Sequence, residues 1–154
     1  IKRIVSEYYF LKHGFENFKN HPIIKNLNDN EYEFPNTLEE YVNSPESFNA
    51  QTKHLIGKKV WDNKQVNIED VDMVINKLNK LNFHVGITDY MNESIEYFNK
   101  IFNFGLNMLF HNVNKYKNYK NIIISDDIKE DIKNNNKSDY KLYNYYKEIL
   151  IRGK

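Results

Sequence analysis

Apolar and polar positions alternate along this chain with a helical period over most of its length. Residues 1–13 place Ile4, Tyr8 and Leu11 at i, i+4 and i+7, an apolar stripe that predicts an amphipathic helix. Gly14 follows and is expected to end that helix as a left-handed cap. Residues 15–36 are polar and are interrupted by Pro22 and Pro35, so no long element is expected there. Thr37-Leu38-Glu39-Glu40 has the spacing of a capping box, and the short helix it starts must stop before Pro45. A second short helix is expected over 46–56, closed by Gly57, and then a turn or short strand pair around Trp61. Asn67 is placed to cap a stronger helix in which Ile68, Val71, Ile75, Leu78 and Leu81 recur at helical spacing.

The period then changes. Phe83-His84-Val85-Gly86-Ile87 is short, apolar and β-branched, which suits a buried strand with Gly86 as a point of close approach. From about 90 to 103 Met91, Ile95, Phe98 and Phe102 form one stripe, with Gly105 after it. Residues 106–124 carry no clear period. Ser125 opens a polar helix, Asn134–Asn136 interrupt it, and 138–151 make a last helix whose core face is Leu142, Tyr143, Tyr146, Ile149 and Leu150. One strand among these helices points to an α/β class, with most of its sheet outside this chain.

Composition narrows the classes but names no activity. The chain has 154 residues, enough for one domain or part of one, and its 40% of hydrophobic residues can form a core. Twenty-two basic residues face twenty-one acidic ones, so no strong overall field favours nucleic acid. No apolar run reaches the ~18 residues of a membrane span, and no signal peptide opens the sequence. There is no cysteine, which excludes disulfides, thiolate chemistry and cysteine-ligated zinc. Twenty Lys, two Arg (Arg3 and Arg152) and twenty-five Asn resemble the drift of an AT-rich genome, so single Asn and Lys residues carry little functional signal.

Chemistry-bearing motifs are few. The five His residues form no close ligand pair, and no metal is expected. No GxxxxGK[ST], GxGxxG or GxSxG is present. Asn92-Glu93-Ser94 and Asn136-Lys137-Ser138 are glycosylation sequons, at about the frequency that chance gives in so Asn-rich a chain. The four Tyr between 140 and 146 read as a core stripe rather than a stacking face for bases. What remains is Ser6 near a helix start with Arg3 one turn before it, either a local cap or a contact for an anion.

Four segments, in order, resemble the sulfotransferases that use 3′-phosphoadenosine 5′-phosphosulfate. Ile4-Val5-Ser6-Glu7-Tyr8-Tyr9-Phe10 resembles the family's 3′-phosphate-binding helix, which carries a Ser followed by aromatics. Thr37-Leu38-Glu39-Glu40-Tyr41-Val42, with Asn49-Ala50-Gln51-Thr52-Lys53-His54-Leu55-Ile56-Gly57, is similar to "sleeFv…NxQtrxLaG". Val85-Gly86-Ile87-Thr88-Asp89-Tyr90-Met91-Asn92-Glu93-Ser94 is similar to "vGltE-x-x-d-e-S". Ser138-Asp139-Tyr140-Lys141-Leu142-Tyr143 resembles the C-terminal "n-x-x-D-x-x-LYeya" helix. The match spans nearly the whole chain and points to the Golgi carbohydrate O-sulfotransferases of the heparan-sulfate and chondroitin kind.

This resemblance implies a P-loop-like α/β fold, a parallel sheet flanked by helices, with 1–154 as the C-terminal half of a single domain. It implies sulfuryl transfer from 3′-phosphoadenosine 5′-phosphosulfate to a carbohydrate hydroxyl in the Golgi lumen, with no metal. Ser6 and Arg3 would serve the nucleotide, Asn114 and Lys115 would cover its 3′-phosphate, and Glu7 would face the acceptor sugar or solvent. Asn114 and Lys115 read equally well as members of a solvated Lys/Asn loop. The family's first 3′-phosphate Arg, its phosphosulfate loop and its catalytic base all lie upstream of Ile1, so no catalytic residue is assigned here. The expected partners are the nucleotide donor, a glycan acceptor and the missing N-terminal half or another chain, not nucleic acid. The alternative is a sulfotransferase-like fold without catalysis that serves as a structural subunit of an assembly.

Overall fold

Helices account for the regular structure in the computed structural model, which describes residues 1–17, 34–59, 66–107 and 123–152. They are α1 (Lys2–Asn17), α2 (Leu38–Val42), α3 (Ala50–Leu55), α4 (Ile68–Lys80), α5 (Met91–Phe102), α6 (Asp126–Asn135) and α7 (Lys137–Arg152). Single 3₁₀ turns at Pro45–Ser47 and Thr88–Tyr90 complete the described elements. The chain divides into two compact units. Of the described residues, the first holds 1–17, 34–50 and 123–136, and the second holds 51–59, 66–107 and 137–152.

In the first unit, α2 packs against both α1 and α6. Val5, Val42 and Ile132 are buried together, and Ile1, Ile4, Tyr9, Leu38, Ile124 and Ile128 pack around them. Tyr8 is also buried, stacked on Phe34 at 5.7 Å, with its hydroxyl donating to Asn36 O at 2.7 Å. The expected capping box starts α2: Glu40 N donates to Thr37 Oγ1 at 3.1 Å, and Glu40 Oε2 accepts from Thr37 N and Asn36 N. Ser125 Oγ likewise accepts from Ile128 N and opens α6, the polar helix expected to start there.

Two boundaries differ from expectation. Helix α1 continues through Gly14 to Asn17, because one glycine costs only about 1 kcal/mol in a helix interior and does not by itself end one. The single helix expected over 46–56 is two pieces, the 3₁₀ turn and α3. Between them Asn49 takes the left-handed conformation at φ 48°, which interrupts helical hydrogen bonding.

In the second unit, α7 packs along α4 and α5. The core is Val71, Val74, Ile75, Ile87, Leu142, Tyr146 and Leu150. Asn67 N donates to Asp70 Oδ2 at 2.9 Å, so α4 begins where its cap predicts. Val74 joins the buried face, whereas Ile68 and Leu81 at the ends of the predicted stripe are exposed, as is Ile149 on α7. A stripe drawn at perfect spacing drifts off the contact line toward the helix ends, and this accounts for all three.

The strand expected over 83–87 is not formed among the described residues. Ile87 is buried and Val85 half-buried, but Phe83 is 59% exposed. An extended segment becomes a strand only when another strand takes its backbone groups. Here Ile87 N donates instead to Ser94 Oγ at 2.8 Å. Gly86 makes the expected close approach, since a Cβ there would lie 2.9 Å from the Phe98 ring. Trp61 lies outside the described residues.

Candidate functional site

The amides of the first turn of α1 have no intrahelical acceptor, and its dipole favours negative charge near that end. Val5 N, donating to Ile1 O at 3.2 Å, marks where the helical ladder begins. Ser6 is the fifth residue of the helix and is half-buried, and its hydroxyl bonds to no described residue. Arg3, Ser6 and Glu7 stand at i, i+3 and i+4 and therefore share one face. On that face Arg3 Nη2 pairs with Glu7 Oε2 at 3.8 Å.

The electrostatics of this face are therefore balanced rather than basic. An incoming anion would have Ser6 Oγ, the first-turn amides and the guanidinium as donors, with the Glu7 carboxylate competing for Arg3. Such a group can hold an anion and orient it. It contains no paired acid and base and no nucleophile with an adjacent base, so by itself it supplies binding and not transfer. Three of the five residues predicted for the site are thus brought together on α1, and the other two, Asn114 and Lys115, lie outside the described residues.

The remaining segments of the resemblance contain polar contacts that composition and periodicity did not reveal. Asp139, near the start of α7, accepts from Gln51 N at 3.0 Å, from Thr52 N at 2.8 Å and from Thr52 Oγ1 at 2.7 Å. It thereby satisfies two first-turn amides of α3, those of Gln51 and Thr52, a job usually done by a local cap. In the first unit, Asn136 Oδ1 accepts from Asn49 N at 2.8 Å and Asn136 Nδ2 donates to Ile132 O at 2.9 Å. Ser94 Oγ accepts from Ile87 N and donates to Tyr90 O, both at 2.8 Å. Asp139 and Ser94 lie within the quoted segments, and Asn136 and Ser94 belong to the two sequons, but none of these patterns indicated the contacts themselves.

A second cluster of polar groups lies in the second unit. His84 Nδ1 and Tyr97 Oη are 2.8 Å apart at a cavity of about 180 Å³, lined also by Asn79, Asn82 and Tyr146. The Tyr146 hydroxyl is buried without a hydrogen-bond partner among the described residues, and burial, with Tyr145 beside it, pushes its pKa above the usual phenol value. Among the described residues no group of His, Asp and Glu is arranged to hold a metal, and no helix is long and apolar enough to cross a membrane. Comparison of the chain with protein-family models, with curated proteins and with solved structures finds no match.

Proposed function

We propose that this chain is the nucleotide-side part of a sulfotransferase-like α/β domain that moves a sulfuryl group from 3′-phosphoadenosine 5′-phosphosulfate to a carbohydrate hydroxyl. The observation that carries the reading is the face of α1, where Ser6, with no other described partner, stands one turn after Arg3 at the amino end of a 16-residue helix. The contact of Asp139 with Gln51 and Thr52 adds support, because it joins two of the four resembling segments across 87 residues of sequence. On this reading Ser6 Oγ and the first-turn amides donate to the 3′-phosphate, and Arg3 adds charge when it turns from Glu7. Glu7 is then released toward the acceptor sugar, and Asn114 and Lys115 stay candidates for the phosphate only through the resemblance.

The donor nucleotide supplies the sulfuryl group, and transfer needs a base at the acceptor hydroxyl and cations at the leaving oxygen. The α1 residues provide neither, and on this reading they act only in positioning. The work would take place in a Golgi-type lumen. A second reading, a non-catalytic structural subunit, is favoured by one observation: Arg3, the one arginine of the motif, is paired within its own helix. Calorimetric titration with 3′-phosphoadenosine 5′-phosphate and with adenosine 5′-phosphate separates the two. Preference for the 3′-phosphorylated nucleotide supports the first reading, and equal or absent binding of both favours the second.

A further inference from the structure

The two sequons differ in a way that their sequences do not show. Asn92 stands exposed in the first turn of α5. Asn136 is 4% exposed, and both ends of its amide are in use, Nδ2 toward Ile132 O at 2.9 Å and Oδ1 from Asn49 N at 2.8 Å. The hydroxyl residue of each sequon is itself buried, Ser94 and Ser138 both at 2%. A transferase that must grip the hydroxyl therefore cannot read either sequon once the chain has folded, and any modification precedes folding.

We infer that an N-linked glycan at Asn136 and this fold exclude one another, whereas Asn92 is a site at which the folded chain carries one. In the reaction the amide nitrogen bonds to C1 of the sugar, the bond from C1 to the pyrophosphate of a lipid-linked oligosaccharide breaks, and the nitrogen loses one proton as the lipid pyrophosphate leaves. The product puts a sugar ring on Nδ2. At Asn92 that ring projects into solvent. At Asn136 the nitrogen is enclosed and faces the carbonyl of Ile132, itself wholly buried, so the ring fits only if the side chain swings out. Asn49 N then loses its acceptor, at a residue already in the left-handed conformation. Modification at Asn136 thus acts as an off-switch for folding, and it operates only in a compartment that attaches N-linked glycans. The inference rests on the burial of the two sequons and not on the sulfotransferase reading.

The test is to translate the whole chain behind a secretory leader into glycosylating microsomes, separate protease-resistant from protease-sensitive chains, and map occupancy at both asparagines by mass spectrometry. Chains without glycan, made in a system that attaches none, define the resistant state. The expected result is glycan at Asn92 in both fractions and at Asn136 only in the sensitive one. Ser138→Ala, which removes the second sequon and leaves Asn136 in place, should then move chains into the resistant fraction, while Asn92→Gln should not. Resistant chains glycosylated at Asn136 would overturn the exclusion. Chains glycosylated at Asn92 but wholly sensitive would overturn the tolerated site, and failure of Asn136 to accept glycan in any fraction would overturn the switch.

Discussion

Asp139 holds Thr52 twice, through its backbone amide at 2.8 Å and through its hydroxyl at 2.7 Å. Thr52 is wholly buried, so neither group has water as an alternative partner. Asp139→Ala strands both, and the cost of unpaired groups of this kind is about 1–3 kcal/mol. Urea unfolding should show a loss of about 2–3 kcal/mol for Asp139→Ala and about 1 kcal/mol for Thr52→Val. In the double variant the losses should fall well short of additive, because both changes break the same contact. Strict additivity would mean that the two residues act independently.

Ser94 is predicted to be as important to the second unit as an apolar core residue. Its hydroxyl is the acceptor for the buried Ile87 amide. Ser94→Ala removes that acceptor at almost no change in volume, so a loss of about 1–3 kcal/mol is expected. Hydrogen exchange at the Ile87 amide provides the local check, and exchange should accelerate in the variant more than at the amides of α4.

Gly86→Ala tests the close approach to α5. The added Cβ would lie 2.9 Å from the far edge of the Phe98 ring and 3.1 Å from Ser94 Cβ. The ring can yield but Ser94 cannot, so destabilisation of about 1 kcal/mol is expected, at the low end of overpacking costs. Pairing it with Phe98→Leu should recover part of the loss.

The carboxylate of Asp126 is held below its ordinary pKa of 3.8, first by its hydrogen bond with Lys129 and then by the charge of that lysine. A depressed folded-state pKa contributes stability that is complete above the ordinary value and disappears as pH falls through the folded one. Asp126→Asn should therefore destabilise slightly at neutral pH and not at all in strong acid. The pair is exposed, so added salt should erase the difference as well.

These contacts mark the boundary of what the sequence made legible. The Thr37–Glu40 box and the caps at Ser125 and Asn67 lie within three residues of their partners, and local pattern was enough to find them. The buried faces of α4 and α7 followed from periodicity, except at their ends. Asp139 and Ser94 stood in segments of the resemblance and Asn136 in an Asn run and a sequon, but their contacts were not legible there, since two of the three serve backbone amides 87 residues away. The expected strand failed for the same reason in reverse. Residues 83–87 have the composition of a strand, but pairing is decided by a neighbour, and the described residues provide none. Arg3, Ser6 and Glu7 could be placed on one face by counting, while the ion pair between the first and third depends on side-chain conformation.

The central claim, that the face of α1 receives the 3′-phosphate of a nucleotide, is tested most directly by Ser6→Ala. Removing one hydrogen bond to a charged group should weaken binding by roughly 1.5–3 kcal/mol. The measurement is calorimetric titration of both proteins with 3′-phosphoadenosine 5′-phosphate and with adenosine 5′-phosphate. The predicted result is a loss of affinity for the first nucleotide by about one to two orders of magnitude, with the second unchanged. Equal losses for both nucleotides, or no loss for either, would contradict the claim and leave Ser6 as an ordinary residue of the helix.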